Sequence, residues 1–78
     1  MNQINQQIGR RIKTKRRKIG ITQAELSKKL SISPSYLNLM ESGKRKINLD
    51  LLLKISNELN LEISDISKKI DTNLYQNL

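Results

Sequence analysis

The stretch ITQAELSKKLSISPSYLNLMESGKRK, residues 21–46, carries two helix-start signals in close succession. In the first, Thr22 and Glu25 form the S/T-x-x-E capping box, in which two side chains satisfy backbone N–H groups of the first turn. In the second, Ser33 is followed by Pro34, so a capping hydroxyl precedes a residue suited to the first helical position. Two short helices joined by a tight turn are therefore predicted here.

Helical spacing of apolar residues on both sides of this stretch predicts three more helices. The first is expected over about residues 4–18, before Gly20. The fourth runs from its cap Asn48 to Leu59, and a fifth begins at its cap Ser64. We therefore predict an all-α, compact five-helix bundle in which helices 2 and 3 form a helix-turn-helix. The inward residues expected in helices 2 and 4 are Ala24, Leu26, Leu30, Leu52, Ile55 and Leu59.

Length and composition bound the kind of protein. The 78 residues suit one domain, 1–78, with a core over about 8–66 and a terminal helix or tail at 67–78. Because the chain has no Cys, no disulfide or thiolate metal site is possible. No apolar run approaches the roughly 20 residues of a membrane span, and the N-terminus lacks the apolar segment of a signal peptide. We expect a cytoplasmic protein.

Positive charge is concentrated in the first half of the chain. Residues 1–46 hold 12 of the 15 Lys and Arg residues and two of the seven acids, for a net charge of +10, whereas residues 47–78 have a net charge of −2. A basic half attracts nucleic acid, an anionic membrane or an acidic protein. Charge alone does not choose among these partners.

The outer face of helix 3 is small or neutral, whereas the loop after it is basic. Ser35, Asn38, Leu39 and Ser42 form that face, and Leu37 and Met40 are expected in the core. A face of this kind can enter the DNA major groove, about 12 Å wide, while neighbouring cations bind the backbone phosphates.

This segment resembles the phage-repressor and Cro-type helix-turn-helix domain of the XRE family of bacterial and phage regulators. The residues that carry the resemblance are 22–55, TQAELSKKLSISPSYLNLMESGKRKINLDLLLKI. The resemblance extends over roughly residues 8–66. The sequence is similar both to the N-terminal domains of larger regulators and to small restriction–modification controller proteins. The resemblance implies sequence-specific binding of double-stranded DNA by a transcriptional regulator, usually a homodimer on a palindromic operator.

The resemblance also implies roles for individual residues. Arg16 and Glu41 would form a structural ion pair rather than contact DNA. The residues it places at the bases are Pro34, Ser35, Tyr36, Asn38 and Leu39. The residues it places at the phosphates are Gln23, Ser33, Lys44, Arg45 and Lys46.

Two positions depart from the family pattern. Ser31 stands at or near a turn position that often holds Gly, and a positive φ there would cost about 1 kcal/mol. Leu39 stands where many relatives carry a polar reader, so it either touches a thymine methyl group or adds nothing to specificity. Tyr36 is equally open to interpretation, as a base reader or as a core residue.

Two further segments allow two interpretations each. The seven cations between residues 10 and 18 are either a solvated helix face or partly a set of phosphate contacts. The apolar side chains Ile70, Leu74 and Tyr75 either complete the core or form a dimer interface, which we favour.

Other classes of function have less support. With no His, no Cys and no Gly-rich phosphate loop, we expect no enzyme, metal, cofactor or small-molecule ligand. A membrane-surface role lacks the Trp and Phe anchors that interfacial helices use. A protein-interaction module such as an antitoxin, or the N-terminal DNA-binding part of a larger effector-sensing regulator, remains an alternative.

Overall fold

A computed structural model describes residues 3–62, and in this range the chain is entirely helical and loop. The helices are α1 (Gln3–Ile19), α2 (Gln23–Leu30), α3 (Pro34–Glu41) and α4 (Leu49–Leu59). The predicted all-α class is confirmed, but the count of five is not supported, because four helices are described. The predicted fifth helix, beginning at Ser64, lies outside the described residues. None of the described helices is long and apolar enough to cross a membrane.

Side-chain caps fix three of the helix starts. Thr22 and Glu25 form the predicted capping box, with both hydrogen bonds at 3.0 Å. The Ser33 hydroxyl accepts a bond of 3.1 Å from the backbone N–H of Tyr36, and Asn48 caps α4 in the same way. Each cap stabilises its helix by about 1 kcal/mol. The predicted boundaries of α2 and α4 are thereby confirmed.

All four described helices end in one backbone arrangement. A residue with a positive φ follows each helix, directly after α1, α2 and α4 and one residue later after α3, and its N–H and the following N–H bond back to carbonyls of the last turn. After α3, the Gly43 N–H donates to Met40 O at 3.1 Å and the Lys44 N–H donates to Leu39 O at 2.9 Å. The four residues with a positive φ are Gly20, Ser31, Gly43 and Asn60.

One core joins the four helices, and it corrects two predictions. Ala24, expected inside, is exposed, because Leu26 and Leu30 fill the space between α2 and its neighbours. Leu52, also expected inside, is half-buried, while Leu51 next to it is buried. The core residues are Ile12, Leu26, Leu30, Leu37, Met40, Leu51, Ile55 and Leu59.

A close approach of α1 and α3 sets the position of the third helix. Gly9 is buried against the last turn of α3, where a Cβ atom would lie 2.2 Å from Met40 O. Only glycine allows the two backbones to come this close. The contact brings the basic face of α1 beside the C-terminal end of α3.

Candidate nucleic-acid interface

An open cleft lies between the N-terminal end of α2 and the outer face of α3. Its volume is about 410 Å³, and Gln23 lines it on the α2 side. On the α3 side it is lined by Pro34, Ser35, Asn38 and Leu39. The structure therefore brings together four of the five predicted base readers and one predicted phosphate ligand. Leu39 is 38% exposed, so its apolar side chain contacts solvent and is not buried in the core.

Tyr36, the fifth predicted reader, lies elsewhere. It is half-buried against the hydrophobic core. Its ring lies under the guanidinium of Arg45, with 4.4 Å between Arg45 Cζ and the ring centroid. A cation over an aromatic face at this distance is attracted by the ring. Tyr36 thus fixes the position of a loop cation instead of lining the cleft.

The amide of Gln23 joins the cleft to the interior. Its Nε2 group donates to Glu41 Oε1 at 3.0 Å. Its Oε1 atom accepts a long bond of 3.4 Å from Nδ2 of Asn38. Because one N–H of Gln23 and one of Asn38 stay free in this arrangement, both amides can still bond to a ligand. The predicted phosphate ligand and the predicted base reader therefore lie side by side, within hydrogen-bonding reach of each other.

Arg16 and Glu41, the predicted structural pair, lie together inside the protein. Arg16 Nε is 2.7 Å from Glu41 Oε2, and a second guanidinium N–H donates to Oε1 at 3.0 Å. A third donates to the carbonyl of Ile21 at 2.8 Å. Both side chains are buried. This two-bond geometry is the strong form of an ion pair, and it links α1, the start of α2 and the end of α3.

The three loop cations are exposed beside this network. The backbone of Lys44 is fixed by its bond to Leu39 O, and the side chain of Arg45 is placed by Tyr36. Lys46 is exposed. The hydroxyl of Ser33, another predicted phosphate ligand, accepts the α3 cap bond, which leaves its own hydrogen free to donate.

Two predictions remain, one of a dimer contact and one that the chain has no metal site. Ile70, Leu74 and Tyr75 lie outside the described residues. Across residues 3–62, the structure contains no cluster of three or more His, Cys, Asp or Glu side chains that could hold a metal ion.

Sequence reasoning missed the contacts that connect distant side chains. The Gln23–Glu41 bond spans 18 residues, and no local pattern signals it. No local sequence pattern indicates the contact between Arg45 and Tyr36 either, although their separation of nine residues allows it. One signal was available but unused, since Gly9 in the middle of a helix is unfavourable unless close packing requires it.

Comparisons with known proteins identify the family to which the chain is similar. A family model described as helix-turn-helix (HTH_3) matches residues 12–66. The chain is 34% identical over 71 residues to the HTH-type transcriptional regulator RamB of Mycobacterium tuberculosis, covering 91% of this chain and 15% of RamB. It is 37% identical over 73 residues to the HTH-type transcriptional regulator ImmR of Bacillus subtilis, covering 86% of this chain and 58% of ImmR.

A solved structure shares the fold. The crystal structure of the clp gene regulator ClgR from C. glutamicum matches with a TM-score of 0.77, at 25% identity and over 81% of each chain. The chain thus spans a small part of RamB and somewhat more than half of ImmR.

Proposed function

The chain belongs to the helix-turn-helix family, and on this premise we propose that it binds double-stranded DNA sequence-specifically and regulates transcription, with α3 in the major groove. The observation that carries the proposal is the cleft: neutral side chains of α3 and the amide of Gln23 share one surface, and exposed cations follow in the next loop. Sequence-specific binding requires some side chains that contact the bases and others that bind the phosphates. Here the neutral groups suit the bases and the cations suit the phosphates.

In this proposal, three side chains of α3 read base edges. Asn38 has an amide that can bond to an adenine through two hydrogen bonds, the side-chain geometry best suited to that base. Ser35 can donate to or accept from several bases, so it contributes less discrimination. Leu39 offers an exposed apolar group to a thymine methyl. Asn38 is thus the main specificity residue.

The phosphate contacts come from the edges of the cleft. Lys44, Arg45 and Lys46 supply charge in the loop after α3, and Gln23 and Ser33 supply uncharged donors at the starts of α2 and α3. Arg45 is the best placed of the cations, because stacking on Tyr36 leaves the edge of its guanidinium free for two parallel bonds to a phosphate.

We further propose that the protein acts as a homodimer in a bacterial cytoplasm. In helix-turn-helix dimers, two recognition helices bind half-sites about 34 Å apart, so the operator is palindromic. Ile70, Leu74 and Tyr75 are the proposed contact, on the basis of their apolar spacing alone.

A second possibility is that the chain is the DNA-binding part of a longer regulator. The observation that favours it is the match to RamB, of which the chain covers 15%. Both possibilities share the same DNA-binding mechanism, and they differ in whether an effector-sensing domain acts on it.

Selection of binding sites from a random duplex pool, at about 150 mM salt, tests the proposed function. We expect an enriched palindrome that binds at least a thousandfold more tightly than scrambled DNA, the lower end of typical specificity ratios. An enriched single half-site would support DNA reading but contradict the dimer. Salt-sensitive binding with no enriched sequence would contradict the reading role of α3.

A further inference from the structure

Six cations of α1 remain after Arg16 is assigned to its ion pair, and they line two cavities along the helix. Three of them, Arg10, Lys13 and Arg17, line a cavity of about 480 Å³ between α1 and the C-terminal end of α3. The rest of its lining is polar as well and consists of Gln6, Thr14, Glu41 and Ser42. We call this cavity the α1 groove. The other three, Arg11, Lys15 and Lys18, line a second cavity together with Leu61, and Arg10 lines this cavity as well.

The positive charge of the α1 groove is not neutralised by neighbouring acids. Ion pairs within residues 3–62 join Arg16 to Glu41 and Lys29 to Glu58, and none of them involves a groove cation. Glu41 also lines the groove, but its carboxylate is already bonded twice by Arg16 and once by Gln23. The cations therefore converge on a polar cavity with their charge available.

The α1 groove lies about one helical turn along α3 from the surface proposed to read DNA. Ser42 lines the groove, whereas Leu39, one helical turn earlier on α3, lines the cleft. Gly43 packs so closely on Gln6 that a Cβ atom there would lie 2.5 Å from Gln6 Cγ. This contact holds the part of α1 one turn before Arg10 beside the loop that carries Lys44. A DNA backbone that contacts the Lys44 loop would therefore lie next to the α1 groove.

We propose that the α1 groove binds phosphodiester groups of the DNA backbone that flank the bases read by α3. The inference rests on the proposed function and extends it, since it assigns three of the α1 cations to phosphate and leaves three as a solvated face. Arg10 and Arg17 are exposed and Lys13 is half-buried, so they can meet a phosphate without first leaving a protein partner. Arginine is well suited to this role because its guanidinium bonds to two phosphate oxygens at once.

A purely structural role makes a different prediction. The last turn of α3 contains no basic residue of its own, and cations near a helix C-terminus stabilise its dipole. If the groove cations served only that purpose, their removal would lower the melting temperature and leave the salt dependence of DNA binding unchanged.

The test compares two triple variants that each remove three charges from α1. One is R10Q/K13Q/R17Q, in the groove; the matched control is R11Q/K15Q/K18Q, in the second cavity. For the wild type and both variants, affinity for the selected duplex and for scrambled DNA is measured over a series of salt concentrations, and thermal unfolding is followed by circular dichroism.

We expect the groove variant to bind both duplexes more weakly and to lower the slope of log K against log salt by about 2.7, since each of the three phosphate contacts contributes about 0.9. The control should lower it by less than about 0.5, because its charges act only through the screened long-range field. Equal slopes for the two variants, or a lower melting temperature with an unchanged slope, would overturn the inference while the proposed function stands. A wild type that binds no duplex would overturn both.

Discussion

At the scale of single residues, Tyr36 connects the core to the proposed DNA surface. Its side chain packs against the core, and the guanidinium of Arg45 lies over its ring. A flexible arginine that is already held in one orientation loses less conformational entropy when it binds a phosphate. Tyr36 therefore contributes to binding through Arg45, without touching a base.

Replacement of Tyr36 tests this role. We expect Tyr36→Leu to weaken binding to all duplexes about two- to fivefold, since an exposed cation–π contact stabilises by about 0.5–1 kcal/mol. Tyr36→Phe keeps the ring and should bind like the wild type. Affinities for the selected and the scrambled duplex measure both effects. If Tyr36→Phe changed base preference, the hydroxyl would be a reader and the assignment would be wrong.

Glu25 gives one helix start a dependence on pH. Its hydrogen bonds with Thr22 lower the pKa of the carboxyl below 4.5. Because the folded-state pKa is the lower one, the stabilisation is fully present above the unfolded-state pKa and is lost as the pH falls below about 4.5. We expect melting temperatures between pH 6 and pH 3 to fall more in the wild type than in Glu25→Gln, which keeps the cap bond without titrating. Parallel curves would contradict this.

At the scale of helices and turns, Ser31 ends α2 in a conformation that suits glycine. Its φ is 59°, and its N–H bonds to the last turn as the other helix ends do. A left-handed non-glycine residue costs about 1 kcal/mol. We therefore expect Ser31→Gly to stabilise the protein by about 0.5–1 kcal/mol in urea unfolding. Ser42→Gly is the control, because Ser42 has a φ of −87°; a similar gain there would show that strain is not the cause.

Gly9 reverses the usual rule for a helix interior. Gly→Ala in an exposed helix is favourable by about 1 kcal/mol. At position 9, however, the new methyl would lie 2.2 Å from Met40 O, and such overpacking typically costs about 1–3 kcal/mol. We expect Gly9→Ala to lower the free energy of unfolding, whereas Gln7→Ala on the exposed side should not. A stabilised Gly9→Ala would mean that α1 and α3 are farther apart.

Helix boundaries were predictable because their causes are local. Thr22, Ser33 and Asn48 bond within three residues of their own positions, so the sequence alone displays the caps. The inward face of α4 was harder to assign. Leu51 and Leu52 are adjacent and equally apolar, and only the packing of the neighbouring helices buries the first more deeply.

At the scale of the whole molecule, the candidate site combines residues from α1, α2, α3 and the following loop. The charge asymmetry and the neutral face of α3 predicted its general nature. The bond between Gln23 and Glu41, and the cavities that the α1 cations line, depend on how the helices pack. Such contacts between distant segments are not encoded in any local pattern.

The central claim is that α3 reads bases while the neighbouring cations bind phosphates, and one measurement tests it most directly: base-preference matrices for the wild type, Asn38→Ala and Lys44→Ala. Asn38→Ala should lose preference at one or two adjacent base pairs, by about 1–3 kcal/mol, and keep its affinity for scrambled DNA. Lys44→Ala should keep the matrix and weaken binding to every duplex alike. An unchanged matrix for Asn38→Ala, or an altered one for Lys44→Ala, would contradict the claim.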